Sequence, residues 1–232
     1  NPYPITLGVT RPNWGKPNTA RIAGEISPEA EAHIFKRDDH TCQCCGFRAE
    51  KYQKILHING DARDFREENV LTTCVFCHQC FHLEEVAKMG SGMLIWLPEA
   101  DQTTLHHIMR AIYIGRVAQG PLADTARATY DVLLKRGDDA KRRLGSTDPS
   151  ALALVMRDFL TTQTYQQLQK KLEGIRLLPL VRRMVMDAGL EFNQFPQILA
   201  YWRSKEGPFG GKLPAHWVDY YRDVAGDTPS VA

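Results

Sequence analysis

Cys42-Gln43-Cys44-Cys45-Gly46 and Cys74-Val75-Phe76-Cys77-His78 decide how this chain is read. Each stretch contains a C-x2-C pair, and 28 residues separate the two pairs. The x2 spacing lets two sulfurs converge while the backbone turns, so two pairs supply four thiolates to one tetrahedral zinc at about 2.3 Å each. Gly46 suits the tight turn after the first pair. All six cysteines fall between Cys42 and Cys80. That is the clustering of a metal site, not the spread of a disulfide scaffold, and it points to a reducing, cytosolic compartment. The ligand set stays open at this point. Cys77-x2-Cys80 is a rival second pair, His78 and His82 are rival ligands, and Cys44 offers only adjacent or C-x-C spacings.

Outward from the cysteines, the chain has 232 residues, enough for one or two domains. Hydrophobic residues make up 43% and charged residues 24%, ordinary for a globular protein. With 29 Lys+Arg against 27 Asp+Glu, it is neither a strongly basic nucleic-acid-coating protein nor a charged disordered tail. No apolar run approaches the roughly 18 residues of a membrane helix. Asn1-Pro2-Tyr3-Pro4 lacks the charged start and apolar stretch of a signal peptide. Residues 1–100 hold every cysteine and carry net charge −2, whereas 101–232 carry +4. The expected organisation is a zinc-binding module with an N-terminal extension over 1–100 and a helical region packed on it over 101–232.

Periodicity fills in the elements. Ile5–Val9 reads as a short strand, and Ser27-Pro28-Glu29 as a helix start with Ser as N-cap and Pro at the first position. Tyr52–Ile58 and Met93–Leu97 read as strands. Beyond residue 100 the period turns helical, with Leu105, Ile108, Met109 and Ile112 on one stripe. Gly120-Pro121 breaks that helix, and another continues through Leu133. Asp148-Pro149 opens a long helix running to Leu172, and Leu180, Met184 and Val185 begin a short one ended by Gly189. Phe195–Trp202 and His216–Val224 complete the helices. The fold class is α+β, mostly helical. His82 and the pair His106-His107 read as partly exposed surface. Tyr201, Trp202, Trp217, Tyr220 and Tyr221 read either as partner anchors or as core closure.

Between the knuckles lie Ile55-Leu56-His57-Ile58-Asn59-Gly60-Asp61 and Glu68-Asn69-Val70-Leu71. With the second knuckle and His78, this order resembles the HNH (ββα-metal) endonuclease module, over about residues 33–86. In that family Asn precedes the second C-x2-C pair by five residues, which selects Cys74 and Cys77 alongside Cys42 and Cys45 for one structural Zn2+. The resemblance puts His57 at the general-base position, Asn69 at the orienting position and His78 at the helix-ligand position. The remaining catalytic-metal position falls on Leu56, which cannot coordinate a hard cation. Without that ligand the Lewis acid at the scissile phosphate is lost, so His57, Asn69 and His78 are vestigial candidates. A bland role exists for each: His57 bonds backbone in a core strand, and Asn69 caps a loop. An active HNH endonuclease cleaving DNA with a divalent metal is the alternative, and a zinc-finger DNA-binding regulator is a third.

Longer words narrow the resemblance. Arg37-Asp38-Asp39-His40-Thr41-Cys42-Gln43, Cys74-Val75-Phe76-Cys77-His78-Gln79-Cys80-Phe81 and Gly92-Met93-Leu94-Ile95-Trp96-Leu97-Pro98-Glu99 are similar to the DotN (IcmJ) family of type IVB (Dot/Icm) secretion systems. Leu7-Gly8-Val9 and Arg176-Leu177-Leu178-Pro179-Leu180 also fit. Cys44 departs from that family, which more usually has an apolar residue there. The resemblance implies a zinc-stabilised HNH-like (ββα) core with a helical C-terminal part and no catalysis. It further implies an adaptor subunit of the coupling-protein complex, which binds the C-terminal segment of a DotL-like coupling ATPase and other adaptors and supports effector recruitment. Such a protein sits in the cytoplasm, peripheral to the inner membrane, with no specific nucleic acid.

Overall fold

A computed structural model describes residues 2–10, 27–158 and 161–212. The chain enters the first helix, α1 (Pro28–Arg37), as its sequence dictates: the Ser27 hydroxyl accepts from the Ala30 N–H at 3.2 Å and Pro28 occupies the first turn. Only Ile34 of α1 is buried, so polar contacts tie its end down. Arg37 donates to the carbonyls of Glu67 (2.9 Å) and Val70 (2.8 Å), and the Asp38 carboxylate accepts the Thr72 N–H at 2.9 Å.

The first knuckle follows as a tight loop. Gly46 N–H donates to the Cys42 carbonyl at 2.8 Å with Gly46 at φ 73°, a conformation that favours glycine. β1 (Gln53–His57) then pairs antiparallel with β2 (Val70–Cys74), joining Gln53 to Cys74 and His57 to Val70. β2 runs directly into α2 (Val75–Cys80), and α3 (Leu83–Met89) ends on left-handed Gly90. β3 (Gly92–Trp96) pairs antiparallel with the distant β4 (Ile175–Pro179), with Leu94 opposite Leu177. Between them come α4 (Gln102–Arg116), α5 (Pro121–Leu144), α6 (Pro149–Asp158) and α7 (Thr162–Lys171). A hairpin of β5 (Met184–Asp187) and β6 (Leu190–Asn193) leads to α8 (Phe195–Arg203). The class is α+β, about half helical, with three two-stranded sheets among the described residues. No helix among them is long and apolar enough to cross a membrane.

Several elements differ from the periodicity. Residues 5–9 form no strand pair within a sheet but lie extended against α2 and α3: Gly8 N–H donates to the Cys80 carbonyl (2.9 Å), and Leu83 N–H to the Gly8 carbonyl (3.0 Å). The long helix expected from Pro149 is two helices, because Thr161 starts α7 as its N-cap, accepting from the Thr164 N–H. The segment expected to be helical around Met184 is a hairpin. Ala188 and Gly189 both have positive φ (47° and 81°), the backbone that a two-residue β-turn requires. β4 carries no local strand signal, since its partner lies some 80 residues away. α5 runs on past Leu133 to Leu144, and Gly137 in its middle admits β3. A Cβ there would lie 2.5 Å from the Met93 methyl. The helix expected over 216–224 lies outside the described residues, as do Trp217, Tyr220 and Tyr221.

Two apolar clusters fill the interior. One gathers the knuckles, α4 and α8 around Phe76, Tyr113, Phe195 and Trp202. The other gathers α3, α6 and the β3–β4 pair around Leu83, Leu94, Met156 and Leu177. Each draws residues from both sides of position 100.

Burial pushes the Asp38 carboxyl up, but its bonds to Arg37 and Thr72 outweigh that and hold it below the ordinary carboxylate range. A depressed folded value contributes stability above the unfolded pKa of about 3.9 and loses it as pH falls through the folded value. Asp38→Asn is therefore expected to reduce unfolding free energy by about 1–3 kcal/mol at pH 7. The gap should narrow as the pH drops below about 4. Urea denaturation of both proteins across this range checks it, and a gap constant with pH refutes the ion-pair account.

Candidate metal centre

The two knuckles meet because β1 and β2 bring their ends together. Cys42 and Cys45 sit at either end of the glycine-closed loop, Cys74 closes β2, and Cys77 lies in the first turn of α2. Their four sulfurs lie within 4.8 Å of one another, and all four residues are buried. Cys45 and Cys74 Sγ are 3.8 Å apart. A tetrahedron with metal–sulfur bonds of 2.3 Å has edges of about 3.8 Å, so a metal such as zinc fits this donor set. The Cys74 sulfur also caps α2, accepting from the Cys77 N–H at 3.4 Å.

The rival ligands fall outside this group. Cys80 is fully buried one turn further along α2, with its sulfur 3.5 Å from the Phe76 carbonyl. Cys44 is buried beside the quartet. The His78 and His82 rings pack tilted against one another at 4.3 Å between centroids, and His82 Nδ1 meets the Thr10 hydroxyl at 2.8 Å. Among the described residues, Cys42, Cys45, Cys74 and Cys77 are the one group of three or more such side chains close enough to share an ion.

Helix α4 supplies what the sequence did not announce. His106, expected near the surface, is fully buried, with Nδ1 3.3 Å from the Cys77 sulfur. Its tautomer follows from its neighbour. Gln102 Oε1 accepts the Leu177 N–H at 2.9 Å, so the Gln102 amide nitrogen faces His106 Nε2 at 2.9 Å and donates to it. The His106 proton is then on Nδ1, aimed at sulfur. Burial pushes its pKa down to about 3, so the ring is neutral. One turn later Arg110, also buried, places Nη2 2.8 Å from the Cys74 sulfur and 3.6 Å from Cys45. Its guanidinium lies 4.0 Å from the Phe47 ring centroid and 5.2 Å from that of Phe76. His107 is exposed, as expected, yet its Nε2 reaches the Cys45 carbonyl at 3.0 Å. A trace of this was legible. Gln102, His106, Arg110 and Tyr113 follow helical spacing beside Leu105 and Met109, so polar residues interrupt a stripe that should be buried.

α8 closes the other side. Trp202, 1% exposed, meets Phe47 and Phe76 edge-on at 5.7 and 5.5 Å, and the Tyr201 hydroxyl accepts the Glu50 N–H at 3.0 Å. Tyr201 and Trp202 thus belong to the core.

The second constellation, at the end of β1, is a shallow cleft of about 200 Å³ lined by Val9, Thr10, Leu56, His57, Asn59 and His82 among others. Leu56 is 3% exposed. His57 Nε2 has no hydrogen-bond partner, and the His57 ring packs edge-on to Phe65 at 5.0 Å. Asn69 serves the loop beyond His57. Its amide donates to Asn59 Oδ1 (3.0 Å) and the Asp64 carbonyl (2.8 Å), while its carbonyl accepts the Asn59 N–H (3.0 Å).

No family model matches the chain. The type 4 apparatus protein DotN of Legionella pneumophila subsp. pneumophila strain Philadelphia 1 is 32% identical to it over 176 residues, spanning 74% of this chain and 81% of that protein. The chain belongs to the DotN family. A span of that length includes Cys74, Cys77 and α4 wherever it lies, so the DotN family resemblance covers at least the second knuckle and the helix set against it.

The geometry separates ligand from bystander by mutation. Cys74→Ala is expected to drop metal content from about one per chain to near zero and to leave largely insoluble protein. Cys80→Ala should keep its metal. Elemental analysis of both variants checks this, and metal loss in Cys80→Ala alone would transfer the ligand role to that sulfur.

Proposed function

We propose that this chain is a non-catalytic, zinc-binding adaptor subunit of a type IVB secretion coupling complex. Its similarity to a protein named as a type 4 apparatus component carries the proposal. In this reading Cys42, Cys45, Cys74 and Cys77 hold one structural Zn2+. The ion braces an HNH-like β1–β2–α2 unit within residues 1–100, on which the helical region 101–232 packs. The antiparallel pair running directly into a helix supports the HNH likeness.

Three observations support binding without catalysis. Leu56 occupies the position where an active module needs a cation ligand, and it is buried. Asn69 is committed to the Asn59–Asp64 loop. The N-terminal segment runs past the cleft, with Thr10 engaging both His82 and Glu84 (N–H to Oε1, 2.9 Å). His57, Asn69 and His78 are then remnants that shape a surface. The partner is the C-terminal segment of a coupling ATPase, with other adaptors beside it. That would hold the protein in the cytoplasm at the inner-membrane face.

Two measurements decide the proposal. The purified protein is expected to contain about one zinc per chain and to co-elute with the coupling ATPase's C-terminal segment. It should leave supercoiled plasmid intact with Mg2+, Mn2+ or Ni2+. Cleavage that disappears in His57→Ala would establish the endonuclease instead, and failure to retain any coupling-ATPase tail would remove the adaptor role.

A further inference from the structure

A zinc ion with four thiolates carries a formal charge of −2. Here that charge would sit where Cys42, Cys74 and Cys77 are each no more than 1% exposed. An uncompensated buried charge is strongly unfavourable. Arg110 is a buried cation whose Nη2 lies at hydrogen-bond distance from Cys74 and 3.6 Å from Cys45, and its Nε has no partner. The phenyl rings of Phe47 and Phe76 pack against its guanidinium and fix its direction. His106, four residues earlier, aims an N–H at Cys77. Three of the four sulfurs thus receive donors from one face of α4.

We propose that Arg110 is the charge-compensating partner of the metal centre and that His106 assists it, so that metal occupancy and the docking of α4 stabilise each other. The inference rests on zinc occupying the cysteine quartet. With zinc bound, the guanidinium offsets half of the formal charge and donates to the sulfur it faces. With zinc removed, nothing holds the four sulfurs in the arrangement that the guanidinium faces. The coupling is therefore reciprocal: what loosens α4 weakens the metal, and loss of the metal loosens α4. Lysine would keep the charge but not the planar fork.

The test uses the full chain as wild type, Arg110→Met and Arg110→Lys. Elemental analysis of the wild type comes first: a protein that holds no zinc and takes up no Co2+ overturns the metal reading, and this inference with it. With zinc present, competition against a chromophoric chelator is expected to show Arg110→Met binding zinc weaker by a factor of about 10–100, with Arg110→Lys between it and wild type. In Co2+-loaded protein the sulfur-to-cobalt charge-transfer band should shift in both variants, because a donor to Cys74 has been lost or re-aimed. Unfolding midpoints should show a larger loss for Arg110→Met in the zinc-loaded than in the metal-free protein. If Arg110 merely fills space between Phe47 and Phe76, the losses are equal, the band is unmoved and affinity is unchanged, and the proposal fails while the zinc site stands. Should Arg110→Met prove insoluble, Arg110→Lys decides alone: wild-type affinity with an unshifted band overturns the proposal.

Discussion

Four cysteine sulfurs, each able to carry charge, converge in the interior of this protein, and the surrounding structure answers to that convergence. Burial raises the Cys74 thiol, yet contacts with its fellow cysteines and the charge of Arg110 outweigh burial and hold it well below the ordinary thiol range. The same neighbours act on Arg110 in return. Burial alone would lower its pKa, but the sulfurs of Cys74, Cys45 and Cys77 keep it above the ordinary value. A charged group on each side makes the other tolerable in a place where water cannot reach either.

This mutual dependence explains the division of labour along the chain. The β1–β2–α2 unit is too small to seal a charged centre. It supplies the ligands, while α4 supplies the polar neighbours and α8 lays Trp202 across the aromatic rings of Phe47 and Phe76. The β3–β4 pair then stitches residues 92–96 to 175–179. The cleft beside His57 is lined in part by Leu56, whose side chain offers no lone pair to a cation.

Much of the fold was legible because its signals are local. Ser27-Pro28 marks a helix start by the chemistry of its own first turn, and the alternation around Ile55 and Leu94 marks strands without reference to anything distant. The elements that escaped are those whose conformation is set elsewhere. Ile175–Pro179 is a strand because β3 lies beside it, and Met184–Asp187 is a strand because Ala188 and Gly189 turn the chain back. The break after α6 depends on Thr161 capping a new helix, a choice that apolar spacing cannot see.

The candidate centre divides in the same way. The sequence by itself determined the donor chemistry: two C-x2-C pairs are local motifs, and the softness and spacing of their sulfurs suit a metal such as zinc. It also determined that position 56 cannot bind a hard cation. Only the tertiary structure decided that Cys80 and His78 stand apart from the quartet, and that His106 and Arg110 stand against it. Those choices turn on a few ångströms across 26 to 65 residues of intervening chain, a distance that packing sets and that no local pattern encodes.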